Sequence, residues 1–189
     1  MRKCISGVLL MTGLATFPAL ARAQRRPAAR PAAAPAQRPR FAAELNWSSD
    51  VNFGIGARGV FPLESAFPGT PLDGIVSFDI FFPSTPPGTG SSASYWEING
   101  DLAYRFHMER GSSLGPYAGG GLNIAHASVT VAAPPPGTGT ISSSATKAGL
   151  NLLAGTTFKL SGSNLTPFAE ARGEIGGGKT FILTGGIRF

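Results

Sequence analysis

From residue 41 to the end of the chain, apolar and polar side chains alternate with a period of two, which predicts β-strands rather than helices. Turns rich in Pro, Gly and Ser separate the alternating segments. We predict eight strands, near residues 41–48, 51–61, 73–82, 94–106, 115–131, 142–160, 165–175 and 179–189. No segment of useful length has the helical period, so the pattern indicates an all-β domain.

The two phases of these strands differ in chemistry. One phase is apolar, as at Leu45, Trp47 and Ile55, and the other phase collects ionisable groups. The charged phase contains Glu44, Arg58, Asp79, Glu97, Asp101, Arg105, Lys147, Lys159, Glu170, Arg172, Glu174 and Arg188. A soluble barrel or sandwich shares this period, so alternation alone does not say which phase faces inward.

Three features favour a barrel that turns its apolar phase toward lipid. Aromatic residues of that phase lie at strand ends and form two belts, as interfaces of a membrane barrel require. One belt contains Trp47, Phe82, Trp96 and Phe181, and the other contains Phe41, Phe61, Tyr104, Phe106, Phe158 and Phe189. The charged phase holds six acids and six bases, which suits a closed interior where charges must pair. Closure also leaves no strand edge in hydrocarbon. The sequence therefore predicts an eight-stranded antiparallel up-and-down transmembrane β-barrel over residues 41–189.

The first 40 residues have a different composition. Arg2 and Lys3, an apolar stretch and the Ala21-Arg22-Ala23 sequence predict a cleaved signal peptide over residues 1–23. A membrane anchor is the alternative, although the apolar stretch is short and no stop-transfer charges follow it. Residues 24–40 are rich in Pro, Ala and Arg and are predicted to be a disordered linker. Its five arginines either are simply solvated or touch anionic lipid or cell-wall polymer.

The net charge of +6 does not indicate a nucleic-acid partner. Residues 1–40 carry eight Lys and Arg and no acids, whereas residues 41–189 carry eight bases and ten acids, a net charge of −2. Cys4, the only cysteine, would be removed with the signal peptide, so no disulfide is expected. Two dispersed histidines predict no metal site and no cofactor.

Four short segments resemble the small bacterial outer-membrane β-barrel family, the porin-family β-barrels that include the outer-membrane protein A and X types. They are Phe53-Gly-Ile-Gly-Ala-Arg-Gly, Pro116-Tyr-Ala-Gly-Gly-Gly-Leu, Pro167-Phe-Ala-Glu-Ala-Arg and Leu183-Thr-Gly-Gly-Ile-Arg-Phe. The resemblance implies a bacterial outer-membrane location and an eight-stranded fold, but no substrate. It also implies that Ile187 and Phe189 form a C-terminal sorting signal read by the barrel-assembly machinery. Gly185 stands one position from the place where that signal usually has glycine.

An eight-stranded barrel has an interior that side chains can just fill. The predicted lumen charge network consists of Glu44, Arg58, Asp79, Glu97, Asp101, Arg105, Lys147, Glu170, Arg172 and Arg188. The partners of Glu170 and Arg172 are expected on the neighbouring sixth and eighth strands, with Arg188 of the eighth strand as a candidate, and Arg172 is the other candidate partner of Glu170. We expect paired charges to close the lumen, and an ion path is the alternative.

The histidines offer little support for catalysis. His126 and Ser128 lie two apart on one strand, which resembles the His-x-Ser of outer-membrane lipid A 3-O-deacylases. A nucleophilic serine needs an acid to orient its histidine, and no Asp or Glu occurs between Glu109 and Glu170. His107 follows a strand end and is expected to be a solvated turn residue. We therefore predict that the protein is not an enzyme.

The preferred function is a structural, membrane-integrity or surface-interaction role in the outer membrane. Residues 83–92 and 132–142 are predicted to be loops outside the cell, and residues 62–72 a connection in the periplasm. The alternatives are a narrow porin-like channel for small or apolar solutes and, more remotely, a lipid A acyl hydrolase. The expected partners are the lipid bilayer, lipopolysaccharide and the barrel-assembly machinery, and the protein is expected to be a monomer.

Overall fold

The computed structural model describes residues 38–85, 90–109, 111–133, 139–176 and 179–189. Its eight strands are β1 (Arg40–Ser48), β2 (Asn52–Pro62), β3 (Leu72–Phe81), β4 (Ser92–Arg105), β5 (Leu114–Ala132), β6 (Thr140–Phe158), β7 (Thr166–Ile175) and β8 (Lys179–Arg188). Each strand pairs antiparallel with the next, and β1 pairs with β8 to close the barrel. The predicted fold is thereby confirmed, with strand ends within two residues of their predicted positions. The predicted signal peptide and residues 24–37 of the predicted linker lie outside the described residues, and Arg40 already belongs to β1.

The barrel is apolar outside and polar inside. On β1, Leu45 is 68% exposed, whereas the neighbouring Glu44 and Asn46 are buried in the lumen. The same alternation holds on β3, where Val76 and Phe78 point outward and Ser77 and Asp79 inward. Because successive side chains of a strand point to opposite faces, the predicted charged phase becomes the lumen wall. Among the described residues, no helix is long and apolar enough to cross a membrane.

The two ends of the barrel are distinct. The proximal end, where β1 begins and β8 ends, contains a small apolar cluster inside the lumen, made of Val60, Ile75, Ala103, Tyr117 and Leu153. The distal end carries the β5–β6 turn. The predicted aromatic belts lie on the exterior at these two ends: Trp47, Phe82 and Phe181 are exposed near the distal rim, and Phe41, Phe61, Tyr104, Phe106, Phe158 and Phe189 are exposed near the proximal rim.

The β5–β6 hairpin extends beyond the rest of the barrel. Each of its strands has 19 residues, whereas the other strands have 9 to 14. The predicted loop over residues 132–142 was therefore too long, because β5 continues to Ala132 and β6 begins at Thr140. Hydroxyl side chains pair across the hairpin, as between Thr130 and Ser142, and this pairing supports strand rather than loop.

Candidate functional site

The middle of the lumen is filled by a central ion cluster of Glu44, Arg58, Asp79, Glu170 and Arg172. Arg58 Nη1 and Nη2 donate to the two carboxylate oxygens of Glu170 at 2.8 and 3.1 Å, and Arg58 Nε donates to Glu44. Neither Arg58 nor its two partners has an exposed side chain. A guanidinium that binds a carboxylate through two parallel hydrogen bonds is held in one orientation. The cluster therefore ties β2 directly to β7 across the lumen.

Arg172 is the second arginine of the central ion cluster. Its Nη2 lies 3.3 Å from Glu170 Oε1, and its Nη1 lies 3.7 Å from Asp79 Oδ2 and 4.0 Å from Glu97 Oε1. Asp79 also accepts hydrogen bonds from the side-chain amides of Asn46 at 2.7 Å and Asn99 at 3.1 Å. The Asp79 carboxylate therefore has both a charged neighbour and amide donors around it.

Two glycines leave the room that the buried side chains occupy. A Cβ at Gly56 would lie 1.9 Å from Asp79 Oδ1, and a Cβ at Gly155 would lie 2.6 Å from the phenol oxygen of Tyr117. Tyr117 in turn donates to Glu170 Oε2 at 2.9 Å. Because any larger residue at these two positions would collide with the lumen side chains, the filled core requires glycine at both.

Five members of the predicted lumen network lie outside the central ion cluster: Glu97 and Asp101 are buried in the lumen, and the other three lie toward its two ends. Arg105 is partly exposed at the proximal end, where it pairs with Glu64 and with Asp73 at 3.4 Å. Lys147 is exposed on the extended part of β6, at the distal mouth. Arg188 is buried at the proximal end and stacks on aromatic rings.

The expected pairing of Glu170 with Arg188 is wrong. Glu170 lies opposite Thr184 on β8, and Arg188 lies opposite Thr166, four residues farther along the strand. Glu170 instead binds Arg58, which lies on the far side of the narrow lumen. Its other expected partner, Arg172, does contact it. Sequence reasoning considered neighbouring strands, whereas an eight-stranded lumen is narrow enough for long side chains to meet across it.

The buried charges are not balanced as the sequence pattern indicated. Among the described residues, the buried acids are Glu44, Asp73, Asp79, Glu97, Asp101, Glu170 and Glu174, and the buried bases are Arg58, Arg172 and Arg188. The difference arises because Lys147 lies on the exposed extended part of β6, Lys159 directly follows β6 and is exposed, and Arg105 is partly exposed. Neutral donors compensate for part of the excess acid: Asn151 Nδ2, for example, donates to Asp101 Oδ1 at 3.0 Å.

The sequence pattern did not predict several residues of the lumen network, because they carry no charge or lie near a turn. Asn46 and Tyr117 donate to buried carboxylates, and Asp73 pairs with Arg105. Asp73 shares its strand phase with Asp79, and Asn46 shares its phase with Glu44, so counting by twos would have found both. Tyr117 stands opposite Gly155 on β6, and no sequence signal indicated its hydrogen bond to Glu170.

The filled middle separates two cavities. The proximal cavity has a volume of about 600 Å³ and includes Asp73, Arg105 and Arg188 in its wall. The distal cavity has a volume of about 340 Å³ and includes Tyr95, Lys147 and Glu174 in its wall. Arg58, Asp79, Glu97 and Asn99 lie between them and are at most 2% exposed. This arrangement provides a rigid polar plug with a recess at each end.

His126 lies on the exterior near the distal rim. Its ring stacks on Trp96 at 5.2 Å between centroids, and its Nδ1 lies 2.8 Å from Thr146 Oγ1. Thr146 thus occupies the ring nitrogen that a catalytic acid would have to orient. Within the described parts of the chain, no group of three His, Cys, Asp or Glu side chains is arranged to hold a metal ion. His107 is an exposed residue after β4, where a turn residue was expected.

The C-terminal residue completes the barrel seam. Phe189 N donates to Phe41 O at 2.9 Å, and Phe41 N donates to Phe189 O at 3.3 Å. The side chains of Phe189 and Ile187 both point outward and are 64% and 46% exposed. The two residues of the predicted sorting signal therefore lie side by side on the exterior at the proximal end.

Comparison with known proteins gives matches to solved structures only. No family model matches the chain, and no curated protein sequence matches it. Neisserial surface protein A is 18% identical with a TM-score of 0.53, covering 79% of this chain and 94% of that one. The N-terminal β-barrel domain of Pseudomonas aeruginosa OprF is 16% identical with a TM-score of 0.55, covering 79% and 96%.

A third match is a major outer membrane protein from Thermus thermophilus. It is 13% identical with a TM-score of 0.59, and the match covers 81% of this chain and 99% of that one. At such low identity the likeness concerns the fold. The apolar exterior between two aromatic belts is the surface that a bilayer requires. The chain therefore has the fold of the small bacterial outer-membrane β-barrels, and its exterior places it in that membrane.

Proposed function

We propose that the protein is a surface-interaction protein, in which a closed barrel anchors the extended β5–β6 hairpin outside the cell. In this proposal the distal end faces the exterior and the proximal end faces the periplasm. The observation that carries it is the outer edge of β6. Among the described residues, β6 pairs with β7 only over residues 150–157, so no strand covers the edge from Thr140 to Thr146.

The uncovered edge lies beyond the membrane. Trp96 of the distal belt stands opposite His126, which stands opposite Thr146. From Thr146 to Thr140, β6 continues for six residues, or about 20 Å at the usual rise of a strand. An edge of this length offers a row of backbone donors and acceptors that an extended polypeptide can pair with.

The side chains of the edge do not protect it. Natural edge strands are usually blunted by charges, prolines or bulges. Residues 140–146 have the sequence Thr-Ile-Ser-Ser-Ser-Ala-Thr, without a charge or proline, and all are exposed. We therefore infer a polypeptide partner that adds a strand to β6 and contacts its hydroxyl side chains.

The channel alternative has less support. The side chains at the middle of the lumen are almost completely buried, and the cavities lie on either side of them. Solute passage would require Arg58 and Arg172 to release several carboxylates at once. A lumen closed in this way favours a barrel that anchors a surface structure over a barrel that conducts solutes.

A charged edge tests the proposed function. We expect the Ser142→Lys/Ser144→Lys double variant to abolish adhesion of the host bacterium to immobilised serum proteins, because lysines on an edge oppose strand addition. The measurement compares a deletion strain complemented with wild type, with this variant, or with a Ser128→Lys/Thr130→Lys control. The control places the same charges on the same hairpin face, directly opposite, but on β5, whose two edges are both paired there.

The same strains are tested for permeability to a small dye. Loss of adhesion in the deletion and in the β6 variant, with an unchanged control, supports the proposal. Equal adhesion of both lysine variants and wild type would refute an edge-mediated interaction. A deletion that alters dye permeability without altering adhesion would instead support a membrane-integrity role.

We also propose that Phe189 acts as a sorting signal during assembly. Its side chain is exposed, whereas its backbone closes the seam with Phe41, so the two roles can be separated. Phe189→Ala keeps both backbone hydrogen bonds, and deletion of Phe189 removes them. We expect both variants to leave unfolded chain in the periplasm, measured by fractionation and by the shift of the unboiled band on gels. If only the deletion slows assembly, the residue serves the seam and not sorting.

A further inference from the structure

The proximal cavity contains an arginine that the central ion cluster does not use. Arg188 is 6% exposed, and its guanidinium lies 5.2 Å from the ring centre of Tyr117 and 5.0 Å from that of Phe168. Arg58 lies over the same Phe168 ring at 4.6 Å, so two guanidinium groups face one aromatic side chain. Arg58 has Glu44 and Glu170 as partners, and Arg188 has neither.

Arg188 forms no ion pair with a carboxylate of the described residues. All ten Asp and Glu residues belong to the part of the chain that the structure describes, and within that part none forms an ion pair with Arg188 within 4.0 Å. Arg188 Nε is buried without a hydrogen-bond partner. The N-terminal segment cannot supply the missing charge, since residues 1–40 contain no acid. A buried cation without a partner is costly, and this cost falls if an anion binds beside it.

The cavity around Arg188 is large enough for such an anion. Its volume of about 600 Å³ lies within the range of small-molecule sites. Arg40 and Lys159 add two exposed cations to its wall. A guanidinium presents its N–H groups as a planar fork, the geometry that matches a carboxylate.

The other residues of the cavity wall indicate which kind of anion the cavity can bind. Ile75, Ala103 and Tyr117 provide an apolar surface next to Arg188. Three acids, Glu64, Asp73 and Glu109, line the cavity together with four cations, Arg40, Arg105, Lys159 and Arg188, so the wall has a net charge of +1, which a single negative charge offsets. A monoanion with an apolar body fits this combination better than phosphate.

We propose that the proximal cavity binds a small organic carboxylate, with Arg188 as the residue that holds the carboxylate group and the apolar wall holding its hydrocarbon part. The site is independent of the hairpin at the opposite end. Tyr117 connects the two halves of the lumen, because it lies under Arg188 and also donates to Glu170 of the central ion cluster.

The test is calorimetric titration of the full chain in lipid nanodiscs, with empty nanodiscs as the blank. The probes are benzoate, the uncharged benzamide of the same shape, and inorganic phosphate. We expect saturable one-to-one binding of benzoate. Benzamide should bind about tenfold more weakly or worse because it cannot form the charged hydrogen bond to Arg188, and phosphate should be similarly weak because its charge does not match the cavity wall. Arg188→Gln should weaken benzoate to the level of benzamide. Arg40→Gln, at the same mouth but exposed, should change binding by less than Arg188→Gln.

Folding of each variant is checked by the difference in gel mobility with and without heating. Removal of an unpaired buried charge is not expected to prevent folding. If Arg188→Gln nevertheless fails to fold, the comparison of benzoate with benzamide on the wild-type protein still tests whether the cavity recognises a carboxylate group. Equal binding of the two compounds, tighter binding of phosphate, absence of saturable binding, or unchanged affinity in folded Arg188→Gln would each overturn the proposal.

Discussion

Glu170→Ala is expected to lower the free energy of unfolding by about 3–5 kcal/mol, the usual cost of removing one partner of a buried ion pair. The change leaves Arg58 with Glu44 alone and takes from Arg172 its nearest carboxylate. It also removes the acceptor of the Tyr117 hydroxyl group. Urea unfolding of the barrel in lipid vesicles, followed by tryptophan fluorescence, measures the effect.

A double-mutant cycle identifies the partner. Glu170→Ala combined with Arg58→Ala should cost less than the sum of the two single changes, with a coupling energy of about 0.5–3 kcal/mol for residues in direct contact. The comparison is Glu170→Ala with Arg188→Ala, for which we expect a smaller coupling energy than with Arg58→Ala, because Arg188 forms no ion pair with Glu170 and is connected to it through Tyr117. Two results together would contradict a closed lumen: stability changes near zero for every single variant, and a steady open conductance of the wild type in planar bilayers. They would show that the lumen is filled with water.

Leu152→Arg is expected to destabilise the barrel by about 2–4 kcal/mol, because an arginine on the lipid face near the bilayer midplane must be buried in hydrocarbon. Leu152 is 63% exposed on the outer face of β6, between the two ends of its pairing with β7. The same vesicle unfolding experiment measures the loss of stability.

Leu160→Arg serves as the control for depth. Leu160 is 51% exposed, but it follows β6 in the proximal turn, where an arginine reaches water. Its substitution should cost no more than about 1 kcal/mol, as near an interface. If both arginines are tolerated equally, the exterior of the barrel does not face lipid. Arginine at Asn99 or Asn151 is a poorer control, since both side chains are buried and hydrogen bonded in the lumen.

The sequence by itself determined the architecture and the two faces of the wall. The period of two specifies strands, and the placement of Leu45 and Leu152 on one phase and Glu44 and Asn151 on the other specifies which face is polar. These properties are local, because each residue's direction follows from its position in its own strand. Aromatic residues at strand ends then indicated that the apolar face is the outer one.

The tertiary structure alone decided the partners of the charges and the shape of the distal end. Whether Glu170 meets Arg58 or Arg188 depends on strand register and on the width of the lumen, which no single strand encodes. The sequence already predicted two long strands over residues 115–131 and 142–160, but the uncovered edge of β6 depends on where its pairing with β7 ends, at Leu150. Likewise, the position of Arg188, which forms no ion pair with a carboxylate of the described residues, follows from the register of β8 against β7 and β1, and this long-range geometry creates the candidate carboxylate site.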